Sequence, residues 1–128
     1  MIPLEELTVY KVAMEIGDIV WLVVGKWKYF EHDTLGKQFT RAADSIALNI
    51  SEGYGRFHFA ENRNFCYYSR GSAFETRTVI EKATTRKLIS NEEVKNLNEK
   101  LSLYFKLINP YIKSIGKRSS DNSNDKND

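Results

Sequence analysis

Apolar residues recur every three or four positions along most of this chain, and no stretch alternates apolar and polar residues between turn signals as a strand would. The first helix is expected over residues 8–27, with Val9, Val12, Ala13, Ile16, Val20 and Val23 or Val24 facing inward. A loop through Tyr29, Phe30, Glu31 and His32 then leads to Asp33 or Thr34, either of which supplies a side-chain oxygen to cap a second helix. That helix ends near Gly53-Tyr54-Gly55, where glycine terminates a helix at little cost. A third helix is expected over residues 59–87, with Phe65, Tyr68, Ser72, Val79 and Ala83 inward. The fourth starts at a capping box, Ser90-Asn91-Glu92-Glu93, and carries Val94, Leu97, Leu101, Ile108 and Ile112 on one stripe. Pro110 kinks it or ends its regular part.

Four helices with short connections predict an all-α fold, an antiparallel up-down four-helix bundle over residues 1–116. Residues 117–128 are polar, balanced in charge and without a large apolar side chain, which predicts a disordered tail.

Composition narrows the function classes. A chain of 128 residues with 41% apolar content suits a single domain, and a formal charge of +2 is too small to imply a nucleic-acid or membrane partner by itself. The charge is uneven: residues 1–36 carry a net −3 and residues 37–87 a net +4, so an anionic partner would meet the middle of the chain. Cys66 is the only cysteine and reads as a packing residue. The longest apolar run, residues 19–24, is far shorter than the roughly 20 residues a membrane span needs. With no signal-peptide pattern at the start, a cytoplasmic protein is expected.

The most informative stretch is residues 38–56, QFTRAADSIALNISEGYGR. Arg41, Ser45, Asn49, Glu52 and Arg56 fall within roughly 80° of one helix face. Beside them runs an apolar strip of Phe39, Ala42, Ala43, Ile46, Ile50 and Gly53. The polar strip reads as a network between helices in which Ser72 and Glu75 face Arg41, Asn49 or Arg56 and set the register. On the third helix Arg63, Arg70 and Arg77 recur every seven residues, within about 40° of each other, in a sector shared with Tyr67 and Phe74 and opposite the expected core. Arginine interleaved with aromatics suits phosphate pairing and base stacking, but equally a subunit contact or a solvated face. Arg41, Arg56, Arg63, Arg70 and Arg77 are therefore the candidate nucleic-acid-binding residues.

Enzyme templates fit poorly. His32 and His58 lack the Glu-x-x-His spacing of a di-iron bundle, and there is no zinc-ligand spacing, Walker motif or dinucleotide fingerprint. The expectation is no catalytic residue, no metal and no cofactor. Glu52 and Glu75 are the one carboxylate pair to consider, and nearby arginines keep both ionised.

At Gln38, Arg41-Ala42-Ala43, Ser45-Ile46, Asn49-Ile50, Glu52-Gly53 and Gly55-Arg56, continued by Arg70-Gly71-Ser72 and Glu75, the sequence resembles proteins encoded in intervening sequences of 23S ribosomal RNA genes, also labelled S23 ribosomal proteins. Leu7-Thr8-Val9-Tyr10 and Ala13 resemble that family's start, and the likeness covers about residues 7–112. The resemblance implies an up-down four-helix bundle assembling into a homopentameric ring. It also implies kinship with accessory proteins of diversity-generating retroelements, which are basic pentamers that bind nucleic acid and a reverse transcriptase. This chain differs from those in being nearly neutral. On this reading it is a non-enzymatic homo-oligomer that binds RNA or DNA, the alternative being a protein-interaction scaffold with no nucleic-acid partner.

Overall fold

A computed structural model describes residues 2–117; apart from Lys117, the expected tail lies outside the described residues. After a single 3-10 turn at Leu4–Glu6 come four long helices. We label them α1 (Thr8–Val24), α2 (residues 29–54, comprising Tyr29–Glu31, a π-helical stretch His32–Gly36 and Lys37–Tyr54), α3 (Phe59–Thr85) and α4 (Asn91–Ser114). Among the described residues there is no strand.

Pairings between neighbours run in opposite directions at each seam. Gly36 and then Asp44 of α2 meet Val24 and then Gly17 of α1. Gly53 of α2 lies against Asn62 and Phe65 of α3, and Ile46 accepts a hydrogen bond from Ser69. Arg63 and Arg70 of α3 bond Ile115 and Asn109 at the far end of the chain. Glu15 of α1 and Lys26 just beyond its end pair with Lys100 and Glu93 of α4. Each helix touches the next and α4 closes back on α1, so α1/α2 and α3/α4 are opposite sides of the bundle.

The expected inward face of α1 is buried as predicted, including both Val23 and Val24, but the helix stops at Val24 and not at Trp27. Trp27 instead folds back to stack on Phe39, with ring centroids 5.9 Å apart. The expected loop before α2 is helical. Asp33 and Thr34 do not cap it: Asp33 pairs with Lys37 at 2.9 Å, and the Thr34 hydroxyl donates back to the Phe30 carbonyl at 2.7 Å. Both residues meet their polar needs inside the helix, and burial of Leu35 and Gly36 holds the segment down.

The inward face of α3 is rotated from the expected one. Cys66, Ser69, Ala73, Thr76, Val79, Ile80 and Ala83 are buried, whereas Phe65 and Ser72 are half-buried and Tyr68 is exposed. Small side chains occupy this face because α2 and α3 approach closely. A Cβ on Gly53 would stand 2.9 Å from the Asn62 carbonyl oxygen and 2.9 Å from Phe65 Cβ. In α4 the capping box forms as read, with Ser90 Oγ accepting from the Glu93 amide and Glu93 accepting from the Ser90 amide. Pro110 does not end the helix, which runs on to Ser114; Pro110 is exposed, and burial of Ile112 and Ile115 secures the turn beyond it.

Candidate functional site

The polar strip of α2 forms, but its bonds are local. Ser45 Oγ donates to the Arg41 carbonyl at 2.7 Å, and Asn49 Nδ2 donates to the Ser45 carbonyl at 2.9 Å. Arg56 pairs with Glu52 at 3.1 Å, also reaches Glu61 at 3.4 Å, and lies over the Phe65 ring. The expected network with Ser72 and Glu75 is not made among the described residues. The Ser72 carbonyl accepts from Thr76 Oγ1 within α3, and Glu75 is exposed. A side chain that bonds its own helix four residues back has no need of a neighbour, so the strip solvates α2 instead of fixing its register.

The bond that does join helices in the middle of the bundle was not visible in the α2 motif. Ser69 Oγ, fully buried, donates to the Ile46 carbonyl at 2.7 Å and lies 2.6 Å from the Tyr104 hydroxyl. Tyr104 therefore donates to Ser69, and one short chain of hydrogen bonds links α2, α3 and α4. Burial pushes the Tyr104 hydroxyl pKa well up, as expected for a neutral phenol used as a donor.

The arginine row of α3 does not lie opposite the core; it leans on α4. Arg63 donates to the Ile115 carbonyl at 3.1 Å, at the end of α4. Arg70 donates to Asn109 Oδ1 at 2.7 Å while its guanidinium lies 4.8 Å above the Tyr67 ring. Arg77 sits 4.8 Å from the Phe74 ring centroid and 5.0 Å from that of Phe105. The result is a ladder in which cation and aromatic alternate along the α3/α4 seam, with Tyr67 and Phe74 about half exposed. Arg41 and Arg56 are not part of it. Arg56 stands at the α2–α3 turn, and Arg41 lies on the other side of the molecule, lining a depression between α1 and α2.

That α1/α2 side carries residues the motif reading passed over. Met14, Trp21 and Leu48 are exposed, Trp21 at 66% and Leu48 at 62%. Between them Asp18 and Asp44 line a shallow depression of about 230 Å³ whose floor is Ala13, Gly17 and Ala47. A Cβ on Gly17 would fall 2.7 Å from Asp44 Oδ1, so the glycine is what lets this carboxylate lie flat between the helices. Partial burial, and then the neighbouring Asp18, raise the Asp44 pKa above its ordinary value. Neither aspartate has an ion-pair partner among the described residues.

Cys66 is buried, and burial pushes its thiol up to about 12, far from a reactive thiolate. Among the described residues no cluster of His, Cys, Asp and Glu could hold a metal, and no helix is long and apolar enough to cross a membrane. Glu52 is tied to Arg56, and Glu75 is exposed.

Comparison with known proteins agrees with the fold. A crystal structure of a protein of unknown function from the S23 ribosomal protein family of Bacteroides thetaiotaomicron matches with a TM-score of 0.74 at 21% identity, over 84% of this chain and 100% of that one. No curated protein matches the sequence significantly. The model of the 23S rRNA-intervening sequence protein family matches residues 5–110, the whole bundle up to Pro110. The chain belongs to the 23S rRNA-intervening sequence protein family.

Proposed function

We propose that this protein works by assembly and not by catalysis: it is a homo-oligomeric helical bundle that acts through its surfaces. The observation behind this reading is the presence of two apolar seams rimmed by charge on opposite sides of one small bundle. One has Met14, Trp21 and Leu48; the other has Tyr67 and Phe74 beside stacked arginines. Scattered exposed apolar residues are ordinary, but aromatic, Met and Arg residues grouped in a row have the composition of contact surfaces. A ring of five is the form that the family resemblance implies. Sedimentation equilibrium across a hundredfold dilution tests it: a multiple of the subunit mass is expected, and a monomer at every concentration overturns the reading.

A second reading, binding of RNA or DNA, has its own observation. Arg63, Arg70 and Arg77 stand about 10 Å apart along α3, and Arg70 and Arg77 each lie 4.8 Å from the centroid of an aromatic ring. The kinship with retroelement accessory proteins that the sequence resemblance implies favours the same reading. Fluorescence anisotropy against structured RNA and duplex DNA at two salt concentrations tests it. Each phosphate neutralised steepens the salt dependence by about 0.9 for duplex DNA, and no binding at low salt overturns it.

A further inference from the structure

Asp18 and Asp44 form a pair of carboxylates without a cationic partner among the described residues, set in a ring of exposed apolar side chains. Both side chains are exposed and each charge repels the other, so the pair is open to a cation from outside the subunit. On the opposite side, Arg70 is held by Asn109 and Tyr67, between the half-exposed rings of Tyr67 and Phe74. Its bond to Asn109 uses one of the five N–H donors of a guanidinium.

The two features also lie at one height. Ser69 bonds the Ile46 carbonyl, so these two residues mark a common level; Asp44 is two residues from the one and Arg70 follows the other. At about 1.5 Å of rise per residue, Asp44 and Arg70 differ by only a few ångströms along the bundle axis.

We infer that the α1/α2 seam of one subunit docks onto the α3/α4 seam of a second copy of this chain, with Asp18 and Asp44 receiving Arg70 and with Met14 and Leu48 packing against Tyr67 and Phe74. The occupant is a second copy because the charges and apolar residues that each seam presents are complemented by the other seam of the same molecule. Two different surfaces meet, so the contact is heterologous. With no axial offset between them, the two seams meet in register along their length. This inference rests on the assembly reading above and names its surfaces.

The test uses two full-length variants. Leu48→Lys blocks the first seam at an exposed position; Arg70→Ala combined with Phe74→Ala removes the second. Circular dichroism confirms that each keeps its helical content. Each variant alone is expected to sediment as a monomer, and an equimolar mixture as a dimer of one copy of each, since only one intact pair of seams remains. Asp44→Asn, a milder change, is expected to lower the wild-type oligomer mass on dilution. Variants that keep the wild-type oligomer mass overturn these surfaces while leaving assembly intact. A mixture that stays monomeric overturns the head-to-tail arrangement. A monomeric wild type overturns the assembly reading together with this one.

Discussion

The hydroxyls of Ser69 and Tyr104 meet at 2.6 Å in the middle of the bundle, and Ser69 passes the link on to the Ile46 carbonyl. Both side chains are fully buried, and the Tyr104 hydroxyl depends on Ser69 for its hydrogen bond. Ser69→Ala leaves the Tyr104 hydroxyl without a partner and is expected to cost about 1–3 kcal/mol. Tyr104→Phe removes the dependent group and leaves Ser69 bonded to Ile46, at a cost of about 1 kcal/mol. Urea denaturation of the two variants checks the order; equal costs would mean that the bond to Ile46 is not independent of Tyr104.

Most of the fold is legible in the sequence because α1 and α4 bury aliphatic residues at regular spacing and α4 carries its own start signal in Ser90 and Glu93. The inward face of α3 is harder to read. Its largest side chains, Phe65 and Tyr68, sit at the edge, while Cys66, Ser69, Ala73 and Thr76 point inward. A rule that places big apolar residues inside fails where helices come close enough to admit only small ones; the recurrence of Cys, Ser, Ala and Thr every three or four residues is the signal that identifies the face. The arginine spacing is visible in one dimension, but that the row leans on Asn109 and Phe105 depends on the packing of α3 against α4. Asp18 and Asp44 share a depression only because Gly17 brings α1 and α2 together, and no periodicity within either helix announces that.

Gly53 is expected to be the least replaceable glycine. An added methyl group meets the Asn62 backbone oxygen and Phe65 Cβ, neither of which can swing away as a flexible side-chain end does. Gly53→Ala should therefore force α2 and α3 apart and destabilise the fold by about 1–3 kcal/mol, although alanine favours a helix by itself. Gly71, with open space around the same position, serves as the control: Gly71→Ala is expected to stabilise by up to about 1 kcal/mol. Thermal melts of the two variants should move in opposite directions.

Lys87 holds a left-handed backbone, φ 60°, where the chain leaves α3. The Leu88 amide then reaches the Ala83 carbonyl at 2.9 Å and the Lys87 amide reaches that of Thr84 at 3.1 Å, closing the helix end. A residue with a Cβ is strained there and glycine is not. Lys87→Gly is expected to raise stability by about 0.5–1 kcal/mol without altering helical content, measurable as a higher denaturant midpoint with an unchanged slope.

Asp44 links stability to pH with a definite sign. Its folded pKa lies above the ordinary carboxylate value, first through desolvation and then through Asp18. The folded state therefore binds the proton more tightly than the unfolded chain does. The contribution of Asp44 to stability is highest in acid, where it is protonated in both states, falls as pH rises from the ordinary value through the raised one, and is level above it. The groups that line the adjoining depressions with it are Asp18 on α1 and Lys37, Arg41 and His32 along α2; desolvation, then Asp18, set the direction. Asp44→Asn removes the ionisation, so its melting temperature should match the parent in acid and exceed it near neutral pH. The measurement belongs in the Arg70→Ala, Phe74→Ala background, where no second copy can compensate the charge. In the otherwise wild-type chain the same substitution should stabilise the subunit yet weaken the oligomer, an opposition that a purely structural carboxylate would not produce.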